Sequence, residues 1–249
     1  MAGHSKWHSI KHKKTANDKK RGKIFTKHAK LIANAAKEGG DPEMNPSLRT
    51  AIENAKAENV PNDNIDRAIA KGSGEGMDGM QMHEVMYEAY GPGGTALMIE
   101  AITDNKNRTV SNVKAIITRK GANWGEPGSV AYMFEQKGVI TLKFEGDVDE
   151  AQLELIELGV EEFDSVEDGE MVVYCDAKEF IDVRTKIKEA GFEVLEAKQS
   201  YIPNNYVEVE DVETAQKILN LVEAIEEDDD VSEVHSNFDI PADILDKLE

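Results

Sequence analysis

A single cysteine, Cys175, stands in a chain of 249 residues, and that excludes a disulfide framework and any cysteine-based zinc cluster. No run approaches the roughly 20 continuous apolar residues of a membrane span. The N-terminus lacks the apolar core of a secretory signal, and its lysine-rich, arginine-poor make-up fits a mitochondrial presequence badly. With 19 Gly and 7 Pro the chain is neither collagen-like nor of low complexity. Basic residues are also scarce: 29 Lys and Arg against 49 Asp and Glu give a net charge of −20, which as an average speaks against a polyanionic partner. The expectation is a cytoplasmic protein with no membrane partner. Its hydrophobic content of 40% is enough for two or three domain cores.

The scarcity of positive charge is not uniform. Residues 1–30 hold nine Lys and one Arg against one acid, Asp18, together with four of the six His. Residues 1–72 carry 15 basic and 8 acidic side chains, a net +7, whereas residues 73–249 carry 14 and 41, a net −27. A basic head on an acidic body is the asymmetry expected of a chain that binds a polyanion at one end.

Residues 1–16 show no apolar periodicity and read as an arm that orders on meeting a partner. A helix is predicted from Asn17 or Asp18 to Gly39-Gly40, with Ile24, Phe25, His28, Leu31, Ile32 and Ala35 on one face. Lys19, Lys23, Lys27, Lys30 and Lys37 lie beside that face, within an arc of about 80° at 100° per residue. A second helix starts at Asn45-Pro46 and ends before Val60-Pro61, and a third carries Ile65, Ala68 and Ile69 as far as Gly72. The run 72–76 (GSGEG) reads as a linker.

Strand patterns follow at 84–90, 94–102 and 129–135, with a helix at 107–120. Residues 137–202 then read as strand, helix, two strands, helix and strand, the βαββαβ order of a ferredoxin-like unit. Strands at 206–210 and 231–238 flank a helix at 211–226. The fold class is therefore α+β: an N-terminal three-helix domain followed by two ferredoxin-like α/β domains, one inserted in the other. The expected boundaries are 1–76 for the arm and helical domain, 77–136 with 203–249 for a discontinuous α/β domain, and 137–202 for the insertion.

Catalytic chemistry finds little support. Gly91-Pro92-Gly93-Gly94 lacks the phosphate-loop pattern and reads as a turn between two strands. Cys175 ends the apolar strand MVVYC, where a buried thiol is expected. No Gly-x-Ser-x-Gly elbow occurs, and carboxylates are too numerous for spacing to nominate an acid–base pair. His4, His8 and His12 recur at metal-ligand spacing, but no acidic or cysteine ligand accompanies them and neighbouring lysines would repel a cation. The run 226–230 (EEDDD) lacks the alternation of a calcium loop and reads as a solvated helix end. The expectation is a protein that is not an enzyme, with no metal and no cofactor.

Nucleic-acid chemistry is better represented. Lys6, Lys11, Lys13, Lys14, Lys19, Lys20, Arg21, Lys23, Lys27 and Lys30 can neutralise phosphates, His8 and His12 can add partial charge, and Trp7 is placed to stack on a base or sugar. A second candidate patch is Asn105, Asn107 and Arg108, a polar loop opening a helix, which is equally well read as helix capping. Trp124 reads as the cap of a core.

The blocks MAGHSKWHSIKHKK, KRGKIFTK, GGDPEMNPSLRTAI and VPNDNIDRAIAKGSG closely resemble the YebC/PmpR family, to which a mitochondrial translational activator of cytochrome oxidase subunit I is related. The resemblance continues through YEAYGPGGTALMIEAITDNKNRT and GSVAYMFEQKG, and resumes in ETAQKILNLVEAIEEDDDV and NFDIP. It departs from the family pattern at Ala29-Lys30-Leu31, Ala89, Lys114, Ala122 and Trp124. The resemblance implies a three-domain α+β protein without catalysis or cofactor, described in the family as a DNA-binding transcriptional regulator. Some members instead resemble ribosome-associated translation factors that relieve stalling on proline-rich stretches. The implied partner is therefore DNA, or ribosomal RNA and the ribosome, with the acidic body open to protein partners.

Overall fold

The structure, a computed structural model, describes residues 18–74, 82–245 and 247–248, with side chains from Gly22 onward. Among the described residues three helices come first: α1 (Asp18–Ala35), α2 (Pro46–Ala57) and α3 (Asn62–Gly72). α1 tightens into a 3-10 turn at Ala36–Glu38 and stops at Gly39, whose φ of 141° suits only glycine. Asn45 stitches this end to α2. Its side-chain oxygen accepts from Leu48 N at 3.0 Å, and its amide donates to Ala35 O at 2.8 Å and Gly39 O at 2.9 Å. Pro46 takes the first helical position, where a missing N–H costs nothing.

The apolar face of α1 differs in one respect from its sequence reading. Leu31 is 39% exposed, while Ala33 and Ala36 are buried. The cause is the close approach of α3: a Cβ on Gly72 would lie 2.1 Å from Ala33 O and 2.7 Å from Ala36 Cβ. Small residues, not Leu31, form that seam. Gly72 thus ends α3 in close packing, and residues 75 and 76 of the expected linker 72–76 lie outside the described residues.

The next unit contains β1 (His83–Tyr90), β2 (Ala96–Thr103), α4 (Lys106–Arg119), β3 (Asn123–Gly125) and, after a long excursion, α7 (Val212–Glu226) and β9 (Val231–Ser236). Its antiparallel sheet has the order β3-β1-β2-β9. β1 and β2 form a hairpin, and Gly93 and Gly94 in its turn take φ of 71° and 77°. Leu97 and Ile99 of β2 face Val113 and Ile117 of α4 and Ile218, Val222 and Ile225 of α7 in the largest core. The strand order is that of a ferredoxin-like sheet, but the chain enters through β1, which leads straight into β2. β8 (Val207–Glu208), expected as a strand of this sheet, leaves it and pairs in parallel with β10 (Phe238–Asp239). A short helix α8 (Ala242–Leu245) closes the described chain.

The excursion comprises β4 (Phe134–Lys143), α5 (Val148–Glu157), β5 (Glu162–Phe163), β6 (Glu170–Asp176), α6 (Phe180–Glu189) and β7 (Glu193–Pro203). These follow the expected βαββαβ order and pair as β5-β6-β4-β7, all antiparallel. Ile140, Leu142, Met171, Val173 and Cys175 meet Leu155, Val183 and Ile187 in a core of their own.

The segment 129–135, expected as a strand, becomes one only at Phe134, after a 3-10 turn at Ala131–Met133. Glu88 explains the difference. Its buried carboxylate accepts from the backbone of Gly128 at 2.6 Å, Val130 at 2.6 Å and Ala131 at 3.0 Å. Those amides bond a side chain in place of a neighbouring strand.

Contacts of several kinds fix the units against one another. Ala96 and Met98 on the back of β2 pack with Val130 and Phe134, with Tyr201 of β7 alongside. Asn54 of α2 pairs with the exposed edge of β7, donating to Ala197 O at 2.7 Å and accepting from Ala197 N at 3.3 Å. Glu53 of α2 binds Arg184 and Lys188 of α6.

Candidate nucleic-acid interface

The predicted interface divides into an arm and a helix. Lys6, Trp7, His8, Lys11, His12, Lys13 and Lys14 lie outside the described residues, and of Lys19, Lys20 and Arg21 only the helical backbone is described. From Lys23 onward the lysine stripe of α1 has a definite destination. Lys23 Nζ donates to Glu227 O at 3.1 Å, and Lys30 Nζ donates to Asp229 O at 2.7 Å and to Asp230 Oδ1 at 2.6 Å. Lys27, between them, is half-buried. The stripe faces the turn that follows α7.

That turn is the acidic run read from sequence as a solvated helix end. Its last residue is neither solvated nor idle: Asp230 is 5% exposed and gathers three side chains from two helices, α1 and α4. Its Oδ2 accepts from Arg108 Nη2 at 2.7 Å, Arg108 Nε at 3.2 Å and Thr109 Oγ1 at 2.7 Å, while Oδ1 holds Lys30. Burial alone would raise the carboxyl, but the hydrogen bonds from Lys30, Arg108 and Thr109 outweigh it and bring its pKa down to about 2.

The second candidate patch is built into the same network. Asn105 caps α4, accepting from Arg108 N at 3.1 Å. Arg108 spans Asp230 and Asp104, the latter at 2.8 Å, and its guanidinium is half-exposed. Asn107 is exposed on the first turn, its carbonyl accepting from Ser111 Oγ at 2.7 Å. The capping role is therefore present in the structure. Arg108 is an ion-paired clamp between α4 and the acidic turn, so a phosphate would have to compete with two carboxylates for it.

Two other residues singled out from the sequence, Trp124 and Cys175, have structural places. Trp124 packs on the large core, with Tyr87 at 5.4 Å between ring centroids and Lys114 Nζ 5.6 Å from the indole. The Cys175 thiol is buried, and burial, helped by Glu161, Asp176 and Glu179, pushes it up to about 11, which removes thiolate reactivity. Among the described residues no helix is long and apolar enough to cross a membrane.

Sequence reasoning missed Asp230, Glu88 and the Glu53–Arg184 pair. One of five consecutive acids carries no local mark of burial, and Glu88 sits in a strand where its polarity suggests only a solvent face. The usable signal was Thr109 and Arg108 at the start of α4: a hydroxyl and a guanidinium one residue apart ask for a carboxylate that spacing cannot identify.

Comparison with known proteins gives a consistent result over the whole chain. Residues 5–75 match the family described as the TACO1/YebC protein N-terminal domain, and residues 82–238 match the one described as the TACO1/YebC second and third domain. A probable transcriptional regulatory protein of Fusobacterium nucleatum is 51% identical, with 100% of both chains covered. One of Maridesulfovibrio salexigens, under the same description, is 49% identical with 100% of both covered. The crystal structure of a conserved hypothetical protein from Aquifex aeolicus superposes with a TM-score of 0.84 at 42% identity, covering 92% of this chain and 94% of that one.

Proposed function

The chain belongs to the TACO1/YebC family, and on that footing we propose that it is a non-enzymatic, cytoplasmic regulator of gene expression that binds nucleic acid through its basic N-terminal arm. The observation that carries this reading is the segregation of charge, +7 over residues 1–72 against −27 over the rest. α1 is anchored to the body through Lys23 and Lys30, which leaves the phosphate contacts to the cations ahead of Lys23: Lys6, Lys11, Lys13 and Lys14 in the arm and Lys19, Lys20 and Arg21 on the first turn of α1. Trp7 adds a stacking surface. The acidic body repels stray polyanions and so confines binding to one end.

Duplex DNA is the first target, in keeping with the names of the relatives. A second reading, binding of ribosomal RNA by a translation factor, draws support from α3. In a helix-turn-helix the second helix of such a pair would enter the major groove by its first turns. Here those turns carry Asp63 and Asp66, and Arg67 is turned back onto Asn64 Oδ1 at 2.6 Å and Asp63 O at 2.9 Å. A basic arm without a reading helix suits the irregular surface of folded RNA.

Fluorescence anisotropy against labelled duplex DNA and a ribosomal RNA fragment, over a salt series, tests the mechanism. Binding should weaken with a log–log slope of about −0.7 to −0.9 per phosphate contact, and a flat response would remove the basic arm from the mechanism. Co-sedimentation with ribosomes, set beside genome-wide DNA crosslinking in the same cells, separates the two targets.

A further inference from the structure

The back of the β2–β9 pair carries a cluster that neither packing nor the arm explains. Register places Glu100 opposite Glu233 and Met98 opposite His235, so Glu100, Glu233 and His235 share one face of the sheet, the one turned toward β7. The His235 side chain is only 3% exposed. Its Nδ1 lies 3.2 Å from Ser200 Oγ of β7, and its ring meets Tyr201 edge-on at 5.4 Å. Its Nε2 points at Glu100 Oε2 from 3.6 Å, beyond hydrogen-bond reach, and is buried without a hydrogen-bond partner. One donor atom from each of Glu100, Glu233 and His235 falls within 4.8 Å of the other two.

We propose that Glu100, Glu233 and His235 form a binding site for a divalent first-row transition-metal ion, for which zinc is the probe. In the tautomer whose Nδ1–H donates to Ser200 Oγ, Nε2 presents a lone pair to a carboxylate, a repulsive arrangement that a cation between them resolves. A histidine held by its second nitrogen in this way is the usual form of a metal-ligating imidazole. Bonds of about 2.0–2.2 Å to a tetrahedral ion set the donor atoms about 3.3–3.6 Å apart, and the Nε2–Glu100 separation of 3.6 Å already meets this. One imidazole with two carboxylates suits zinc, manganese, iron or cobalt better than magnesium or calcium, whose shells are built of oxygen.

Lys198 acts as a built-in competitor. Its ammonium donates to Glu233 Oε1 at 2.9 Å and also reaches Glu196 at 3.4 Å. An incoming ion takes Glu233 and leaves Lys198 on Glu196. Because the ligands come from β2 and β9 while Ser200 and Lys198 come from β7, the ion would fasten the inserted unit to the sheet beneath it.

The test is calorimetric titration of zinc into the metal-stripped full-length protein. The arm offers a rival ligand set, so the titration uses a chain carrying His4→Ala, His8→Ala and His12→Ala. One saturable zinc site is expected, weakened at least tenfold by Glu100→Gln. Glu100 is partly exposed, so that change leaves the fold intact. Lys198→Met, which removes the competing ammonium, should tighten binding severalfold. No saturable binding in the triple-Ala chain, or an affinity that both Glu100→Gln and His235→Gln leave unchanged, would overturn the proposal.

Discussion

The ammonium of Lys30 lies 2.6 Å from Oδ1 of Asp230, a residue 200 positions further along the chain. The basic helix and the acidic body thus meet in a specific, largely buried pair, not through diffuse attraction. Screening by salt acts strongly on exposed phosphate contacts and weakly on a pair of this kind. The two basic segments are therefore separable by experiment: Lys30 holds α1 to the acidic turn, and the arm ahead of α1 is the segment proposed to meet the partner.

Replacing Asp230 with Ala should be the most damaging single change in the acidic turn. It removes the common partner of Lys30, Arg108 and Thr109. Breaking a buried pair costs about 3–5 kcal/mol when the surviving charge stays buried. Both cations here are partly exposed and can regain water, so we expect about 2–3 kcal/mol, read as a lowered urea midpoint. Alanine at the exposed Asp243 serves as the control and should be neutral.

The same residue sets an acid limit. The folded-state pKa of Asp230 is about 2, below its ordinary 3.8. A depressed carboxyl stabilises the fold fully above the unfolded value, and the contribution disappears as pH falls through the folded one. The window is thus from about pH 4 down to about pH 2, and the shift is equivalent to about 2 kcal/mol. Stability measured across that window should fall steeply in the parent and less steeply in Asp230→Asn.

Glu88 predicts a second loss with a different location. Burial would raise its carboxyl, but the amides of Val130, Gly128 and Ala131 together lower it. Glu88→Gln keeps the shape and loses the charge and one acceptor oxygen, leaving at least one of the three amides short of its partner at about 1–3 kcal/mol. Hydrogen exchange should accelerate first at 128–131, where the chain passes from one unit to the next.

The helical elements and the βαββαβ insertion were legible because their signals are local. Asn45-Pro46, Gly39 and the alternation in β6 each carry their own instruction. What sequence left dark depends on partners distant along the chain. Residues 129–135 have a strand's composition, yet Glu88, some forty residues earlier, takes their amides. β8 has a strand's pattern, but it finds β10 instead of the main sheet. Within the candidate site, the cations were legible as charge, and the anchoring of Lys30 was not, because it turns on which of five consecutive acids is buried.

Two glycine substitutions should move stability in opposite directions. Gly72→Ala places a methyl 2.1 Å from Ala33 O and must push α1 and α3 apart, an overpacking cost of about 1–3 kcal/mol. Gly22 lies inside α1 and, beyond its own helix backbone, an added Cβ meets nothing within 4 Å among the described residues, so Gly22→Ala should stabilise the helix by about 0.5–1 kcal/mol. Thermal unfolding of the two variants gives both signs in one comparison.

Function and folding should part company at the arm. Deleting residues 2–16 removes Lys6, Lys11, Lys13 and Lys14 with Trp7 and should abolish nucleic-acid binding at moderate salt, with thermal unfolding unchanged. Lys30→Ala should do the reverse. It breaks the bond to Asp230, lowers the unfolding midpoint and leaves the salt slope of binding within one phosphate contact of the parent. If Lys30→Ala instead lowers that slope as much as the deletion does, the α1 stripe must leave Asp230 when nucleic acid binds. The acidic turn would then be a competitor for the helix and not its anchor.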